Sequence, residues 1–201
     1  MNAPRAAGLA ALLAVALVAG AATAPPAGQE GDMALGSPRA AVTVIEYASA
    51  GCPHCASWER QVFPAFKAKY IDTGKARFVF REMLYGDADL AAAAFLTARC
   101  AGRGKYFQVV DAVFADQAAL ARAASPAALA QIAKEAGLSQ ARFDACLQDK
   151  GAIAALQARV ERHEKEDAIT GTPTFVVAGR KLEGDQSLAE LAAAIAAAPR
   201  R

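Results

Sequence analysis

Two cysteines separated by two residues, in Gly51-Cys-Pro-His-Cys55, stand where a β-branched run gives way to a helical pattern, and no other feature restricts the chain as much. Upstream, Ala41-Val-Thr-Val-Ile-Glu-Tyr47 lacks polar alternation, as expected of a central strand covered on both faces. Downstream of Cys55, Trp58, Val62, Phe66 and Tyr70 recur at helical spacing, with Phe63 widening the stripe. Pro64 is expected to interrupt that helix by removing one backbone donor. A thiol at the first turn of a helix sits beside unpaired N–H groups and the positive end of the dipole, and both favour a thiolate. Cys52 has that position, and Pro53 fits it because the donor it lacks would be unpaired there anyway. His54 can add positive charge or a donor toward the Cys52 sulfur. Cys55, one turn deeper, is within reach to resolve a mixed disulfide.

Three uses of such a pair compete. A structural zinc site takes four Cys or His ligands, typically in paired clusters, and Cys52 and Cys55 supply two with no second cluster nearby. His163 lies in Arg159-Val-Glu-Arg-His-Glu-Lys-Glu-Asp167, where it reads as a solvated residue on a charged helical face. No metal is therefore expected. A structural staple is disfavoured because so small a ring yields little loop-closure stabilisation. Reversible redox chemistry remains, with the disulfide itself as the reactive group and no bound cofactor.

The N-terminus sets the expected compartment. Arg5 is followed by the apolar run Leu9–Ala19, then by small residues and two prolines. The run, about eleven residues, falls short of the roughly 20 needed to span a bilayer, so residues 1–22 read as a cleaved secretory signal and the chain as periplasmic, with no stable membrane insertion after processing. The formal charge of +2 and the absence of a sustained Lys/Arg stripe give no nucleic-acid footprint. All four cysteines lie beyond the signal, and in an oxidising compartment an even count makes disulfides the default, with connectivity left open.

Residues 23–40, rich in Ala, Pro and Gly, read as a short tail. Residues 41–86 hold the first strand, the helix after Cys55 and a second strand through Ala76-Arg-Phe-Val-Phe80. Residues 87–169 have almost no strand character, and Gly102, Gly104, Ser125-Pro126, Gly137 and Gly151 divide them into four or five helices. In residues 170–199, strand character returns at Thr174-Phe-Val-Val-Ala178, Arg180–Glu183 can pair with it, and Ser187 caps a last helix. The class is α/β, with a helical subdomain inserted into the core.

Val44-Ile-Glu-Tyr47 leading into Cys52-Pro-His-Cys55, the helical insertion, and Gly171-Thr-Pro-Thr-Phe175 before the returning strand together resemble the DsbA-type thiol oxidoreductases of the thioredoxin superfamily. The resemblance runs from about Met33 to Ala198 and implies a thioredoxin-like fold with an inserted all-helical subdomain. It implies that Pro173 is the superfamily's cis-proline and that Thr172 offers its backbone to an incoming chain as an added strand. It implies that Glu46 is the buried acid beneath the cysteines, able to relay the Cys55 proton; a solvated strand-end carboxylate is the alternative reading. Cys100 and Cys146, both in the insertion, resemble the second disulfide of certain bacterial branches, the alternative being two unlinked thiols.

The activity implied is introduction of disulfides into reduced or unfolded exported proteins, with a membrane quinone-linked thiol oxidase as reoxidant. An isomerase or reductase would use the same chemistry from the reduced state. About 20 residues between signal and first strand leave no room for a separate dimerisation domain, which favours a monomeric oxidase. A peptide-binding or chaperone module with an inert disulfide is the third reading, disfavoured by a proline and a histidine placed between thiols at a helix start.

Overall fold

The computed structural model describes residues 28–123 and 126–199. The signal assigned to residues 1–22 lies outside the described residues. Five strands form one sheet in the order β1-β3-β2-β4-β5: β1 (Met33–Leu35), β2 (Val42–Ala48), β3 (Ala76–Glu82), β4 (Thr174–Val177) and β5 (Arg180–Glu183). β2 and β3 are parallel, and every other pairing is antiparallel. Between β2 and β3 run α1 (Pro53–Gln61), α2 (Phe63–Phe66) and a π-helical turn at Lys67–Ile71. Between β3 and β4 lie α3 (Ala88–Cys100), α4 (Tyr106–Ala123), a 3-10 turn at Pro126–Leu129, α5 (Ala130–Glu135), α6 (Gln140–Leu147) and α7 (Lys150–Lys165); α8 (Leu188–Ala196) ends the fold. This is the expected thioredoxin-like α/β core carrying a helical insertion. Among the described residues no helix is long and apolar enough to cross a membrane.

The period of two along each strand sorts the core into two layers. Val44 and Ala48 of β2, Phe78 and Phe80 of β3, and Phe175 and Val177 of β4 face the layer that holds α1 and the insertion. Ile45, Tyr47, Val79 and Val176 face the other side. Trp58 anchors α1 on the first layer, its ring centroid 4.7 Å from that of Phe175 and its Nε1–H donating to the Gln186 carbonyl at 2.8 Å. Pro64 breaks the helix as expected: α1 stops at Gln61 and a new helix starts at Phe63. Ser187 caps α8 in a reciprocal capping box with Glu190.

Two expectations are corrected here. The segment read as a tail contributes an edge strand, β1, held by buried charge: the Arg81 guanidinium pairs with Asp32 at 2.9 Å and Asp167 at 3.1 Å, while Arg99, Arg103 and Arg162 donate to the carbonyls of Gly31, Asp32 and Glu30. Three residues are too few to show a pattern, and every partner is remote in sequence. His163, expected to be solvated, is 2% exposed; its ring meets Tyr47 edge-on and its Nδ1 lies 3.2 Å from the Glu82 carbonyl. Glu161, Glu164 and Lys165 belong to the outer face of α7, and His163 falls on the inner one. Burial together with Arg81 and Arg162 pulls its pKa down to about 4.

Candidate active site

The loop from Ala48 to Cys52 is folded tightly against the turn that precedes α3. Ser49 donates its hydroxyl to the Tyr85 carbonyl at 2.6 Å and accepts from the Gly51 N–H at 3.1 Å. The Asp87 N–H donates to the Gly51 carbonyl at 3.1 Å. A Cβ on Gly51 would lie 2.1 Å from the Asp87 carbonyl oxygen, so only glycine fits that approach. From α4, Gln117 donates to the carbonyls of Ala50 at 2.8 Å and Cys52 at 2.9 Å. The loop is thus fastened from the sheet, α3 and α4 at once.

Cys52 occupies the N-cap position of α1, with extended φ and ψ, and Pro53 opens the helix. The Cys52 thiol donates to the Thr172 carbonyl at 3.4 Å, and the Thr172-Pro173 peptide bond is cis. The Cys55 sulfur, facing Cys52, holds the Cys52 pKa down to about 5 against the cost of burial, helped by the Thr172 hydroxyl and the backbone N–H groups of Cys55 and His54. Cys55 is 0% exposed, and burial, the Cys52 sulfur and Glu46 all push its thiol far above the ordinary range. The two thiols are therefore strongly unequal.

Glu46 lies on the α1 face of β2, in register with Phe80 on one side and Phe175 on the other, and is 0% exposed. Burial raises its pKa to about 8, partly offset by the neighbouring Glu59 carboxyl and reinforced by Cys52, and neither carboxyl oxygen has a well-formed hydrogen bond. Glu59, one turn beyond Cys55 on α1, is itself buried and raised by burial, then by Glu46 and by Asp111 of α4.

The placement of His54 differs from the sequence reading, and three site residues were missing from it. Cys52 is 7% exposed, because the loop before α3 and the Thr172-Pro173 turn close over it. The His54 side chain, 74% exposed, turns outward, its Nδ1 3.1 Å from the Asp185 carboxylate. Asp185, Glu59 and Gln117 did not figure as site residues in the sequence. Glu59 carried a signal, standing four residues after Cys55 on the same helical face, whereas Asp185 and Gln117 reach the site only through tertiary structure. Outside the site, Cys100 and Cys146 join α3 to α6 in a disulfide with Cα atoms 6.2 Å apart. Among the described residues no cluster of three or more His, Cys, Asp or Glu side chains is placed to hold a metal.

The chain is similar in sequence and fold to known proteins. It is 33% identical over 156 residues to a Rickettsia prowazekii protein provisionally named a protein-disulfide oxidoreductase, covering 77% of this chain and 57% of the relative. It spans little more than half the length of several of the curated relatives it matches. The crystal structure of Wolbachia pipientis alpha-DsbA1 superposes with a TM-score of 0.76 at 29% identity, over 84% of this chain and 91% of that one. BdbD from Bacillus subtilis shares the fold at 20% identity, with a TM-score of 0.71 over 86% and 94% of the two chains. A thioredoxin family model matches residues 28–197, from the residues ahead of β1 to the end of α8, and the chain belongs to the thioredoxin family.

Proposed function

We propose that this chain is a thiol:disulfide oxidoreductase that introduces disulfides into reduced or unfolded exported proteins through Cys52 and Cys55. The observation that carries the reading is the inequality of the two thiols, one pulled down to about 5 and the other buried and pushed far up. A substrate thiolate attacks the Cys52 sulfur of the oxidised pair, forming a mixed disulfide, and Cys55 leaves as a thiolate. Cys55 then takes a proton, and Glu46, protonated at neutral pH because of its burial, is the nearby acid that can give it. A second substrate thiolate attacks the substrate's sulfur in the mixed disulfide, releasing Cys52 as a thiolate that stays ionised at neutral pH. Two electrons and two protons leave the substrate dithiol as its disulfide forms, and both electrons reside on the reduced pair.

Substrates would pair with the backbone at Thr172 beside the cis-proline, as an added strand. In this reading the protein is a periplasmic monomer, exported by residues 1–22 and reoxidised by a membrane quinone-linked thiol oxidase. The direction of electron flow is tested by equilibrating the pair with glutathione. A stable Cys52 thiolate favours the reduced form, so the pair is expected to oxidise thiols far more strongly than thioredoxin, at about −270 mV. A potential at or below that value would assign the chain to the reductases and isomerases instead.

A further inference from the structure

Among the described residues, the ion pair made by the dipeptide between the two cysteines comes from the loop joining β5 to α8. That loop is fastened at three points around the redox pair. The Gly184 N–H donates to the Pro173 carbonyl at 2.9 Å, the Gln186 carbonyl accepts from Trp58 of α1 at 2.8 Å, and the Ser187 capping box fixes the loop's far end. Between these ties Asp185 presents a carboxylate oxygen to His54 Nδ1 at 3.1 Å.

We propose that Asp185 is a positioning residue of the redox pair: by holding the His54 ring through Nδ1 and sharing its charge, it sets how strongly the imidazolium acts on the Cys52 sulfur. This rests on the reading of Cys52 and Cys55 as the reacting pair. Asp185 has two opposed effects, separable by pH. Its carboxylate favours the protonated ring, so His54 keeps its positive charge to higher pH than a free histidine. Once the ring is charged, the same carboxylate partly neutralises it as seen from the sulfur. In acid, where His54 is protonated with or without its partner, the second effect is the only one left, and Asp185 restrains the thiolate. Above the ordinary histidine pKa the first dominates, because a ring without Asp185 is neutral, and Asp185 supports the thiolate.

Glu190 of α8 lines the same hollow as Asp185 but directs its carboxylate to the Ser187 N–H and hydroxyl. Cys55 and Glu46 act on Cys52 from inside the fold, and Glu59 acts on Glu46. Asp87, in the turn before α3, directs its carboxylate to its own helix at the Leu90 N–H, and Gln117 of α4 is neutral. Asp185 is the group tied to the ring, and Cys52 is the other charge acting on it.

The test uses Asp185→Asn with and without His54→Ala. The chain has two histidines, so the His54 ring can be followed by NMR titration against the buried His163. In Asp185→Asn the His54 pKa is expected to fall. In the reduced protein at low salt, where Cys52 titrates in acid and Cys55 does not ionise, the Cys52 ionisation constant should rise by about two- to threefold, an increase that shrinks in 0.5 M salt because both partners are exposed. The equilibrium constant with glutathione should move toward a stronger oxidant at pH 5 and toward a weaker one at pH 8. Asp185→Glu should restore the wild-type pattern, and in His54→Ala the Asn change should have no effect on either constant. Superimposable His54 titrations, or an Asn effect that survives removal of His54, would overturn the proposal. Failure of Cys52 in Cys55→Ala to form any mixed disulfide would instead overturn the thiol-exchange reading beneath it.

Discussion

Cys55 and Glu46 are both sealed from solvent beneath α1, close enough that the Glu46 charge raises the Cys55 pKa. A thiolate and a carboxylate facing each other in so dry a space repel, so at most one carries charge at neutral pH. The pair therefore holds at least one proton throughout the catalytic cycle.

The first consequence is an asymmetry between the cysteines. Cys55→Ala is expected to accumulate mixed disulfides with reduced proteins through Cys52, and Cys52→Ala to accumulate almost none. Thiolate absorbance near 240 nm should appear near pH 5 in the reduced pair, at a higher pH for Cys52 alone because the Cys55 hydrogen bond is lost, and remain absent through neutral pH for Cys55 alone. Reversal of that order would remove the assignment of nucleophile and resolving thiol.

Glu46→Gln should stabilise the protein in a pH-dependent way. The folded pKa, about 8, is above the unfolded value of 4.5, so the folded state binds the extra proton and stability falls as pH rises through this window. The variant is expected to match wild type below pH 4.5 and to exceed it by on the order of 2–4 kcal/mol at pH 9. Urea titrations of the reduced protein at the two pH values check this. Stopped-flow measurement should also show slower departure of Cys55 from the Cys52–Cys55 disulfide as the mixed disulfide forms.

His163 acts in the opposite sense. Its folded pKa, about 4, is below the ordinary value of 6.5, so the unfolded chain takes up a proton first and stability is lost as pH falls from 6.5 to 4. Replacing His163 with Gln should flatten that limb of the stability profile by on the order of 2–3 kcal/mol. A limb of unchanged slope would place the acid sensitivity elsewhere.

Removing the Cys100–Cys146 disulfide as the double serine variant should cost about 4 kcal/mol on the loop-entropy model for a separation of 46 residues. The Cys52 titration should not move, because the bond joins α3 to α6 away from α1. Denaturant melts and the 240 nm titration, run on the same variant, separate the two.

Gly51→Ala should be among the most damaging single changes. The added carbon would meet backbone, which cannot rotate aside as a side chain can, and the loss is expected to exceed ~2 kcal/mol with disruption of the Cys52 loop. Thermal unfolding and the rate of mixed-disulfide formation should fall together.

The elements with a local signal were readable before any coordinates. β2 and β4 are dense in β-branched residues, Pro64 marks a helix break, and Ser187 precedes Glu190 by the spacing of a capping box. The strand through Phe80 was read two residues short because Arg81 and Glu82 look like a solvated end. Both are buried, paired with Asp32 and Asp167 and with Arg99 and Arg159. β1, the burial of His163 and the Asp185 contact share this origin: each depends on partners remote in the chain, which no local periodicity encodes.

The arginine grip on residues 30–32 has a consequence for the order in which the molecule closes. Its donors come from β3, α3, the turn after α3 and α7, so a chain emerging N-terminus first presents its leading residues long before the groups that hold them exist. The pairing of β1 with β3 and the Arg81, Arg99 and Arg103 contacts can form without α7, but the Arg162 tie to Glu30 and the Asp167 partner of Arg81 cannot. The edge of β3 is therefore held only in part until the chain through Asp167 has folded, and in that interval it is more open to other strands.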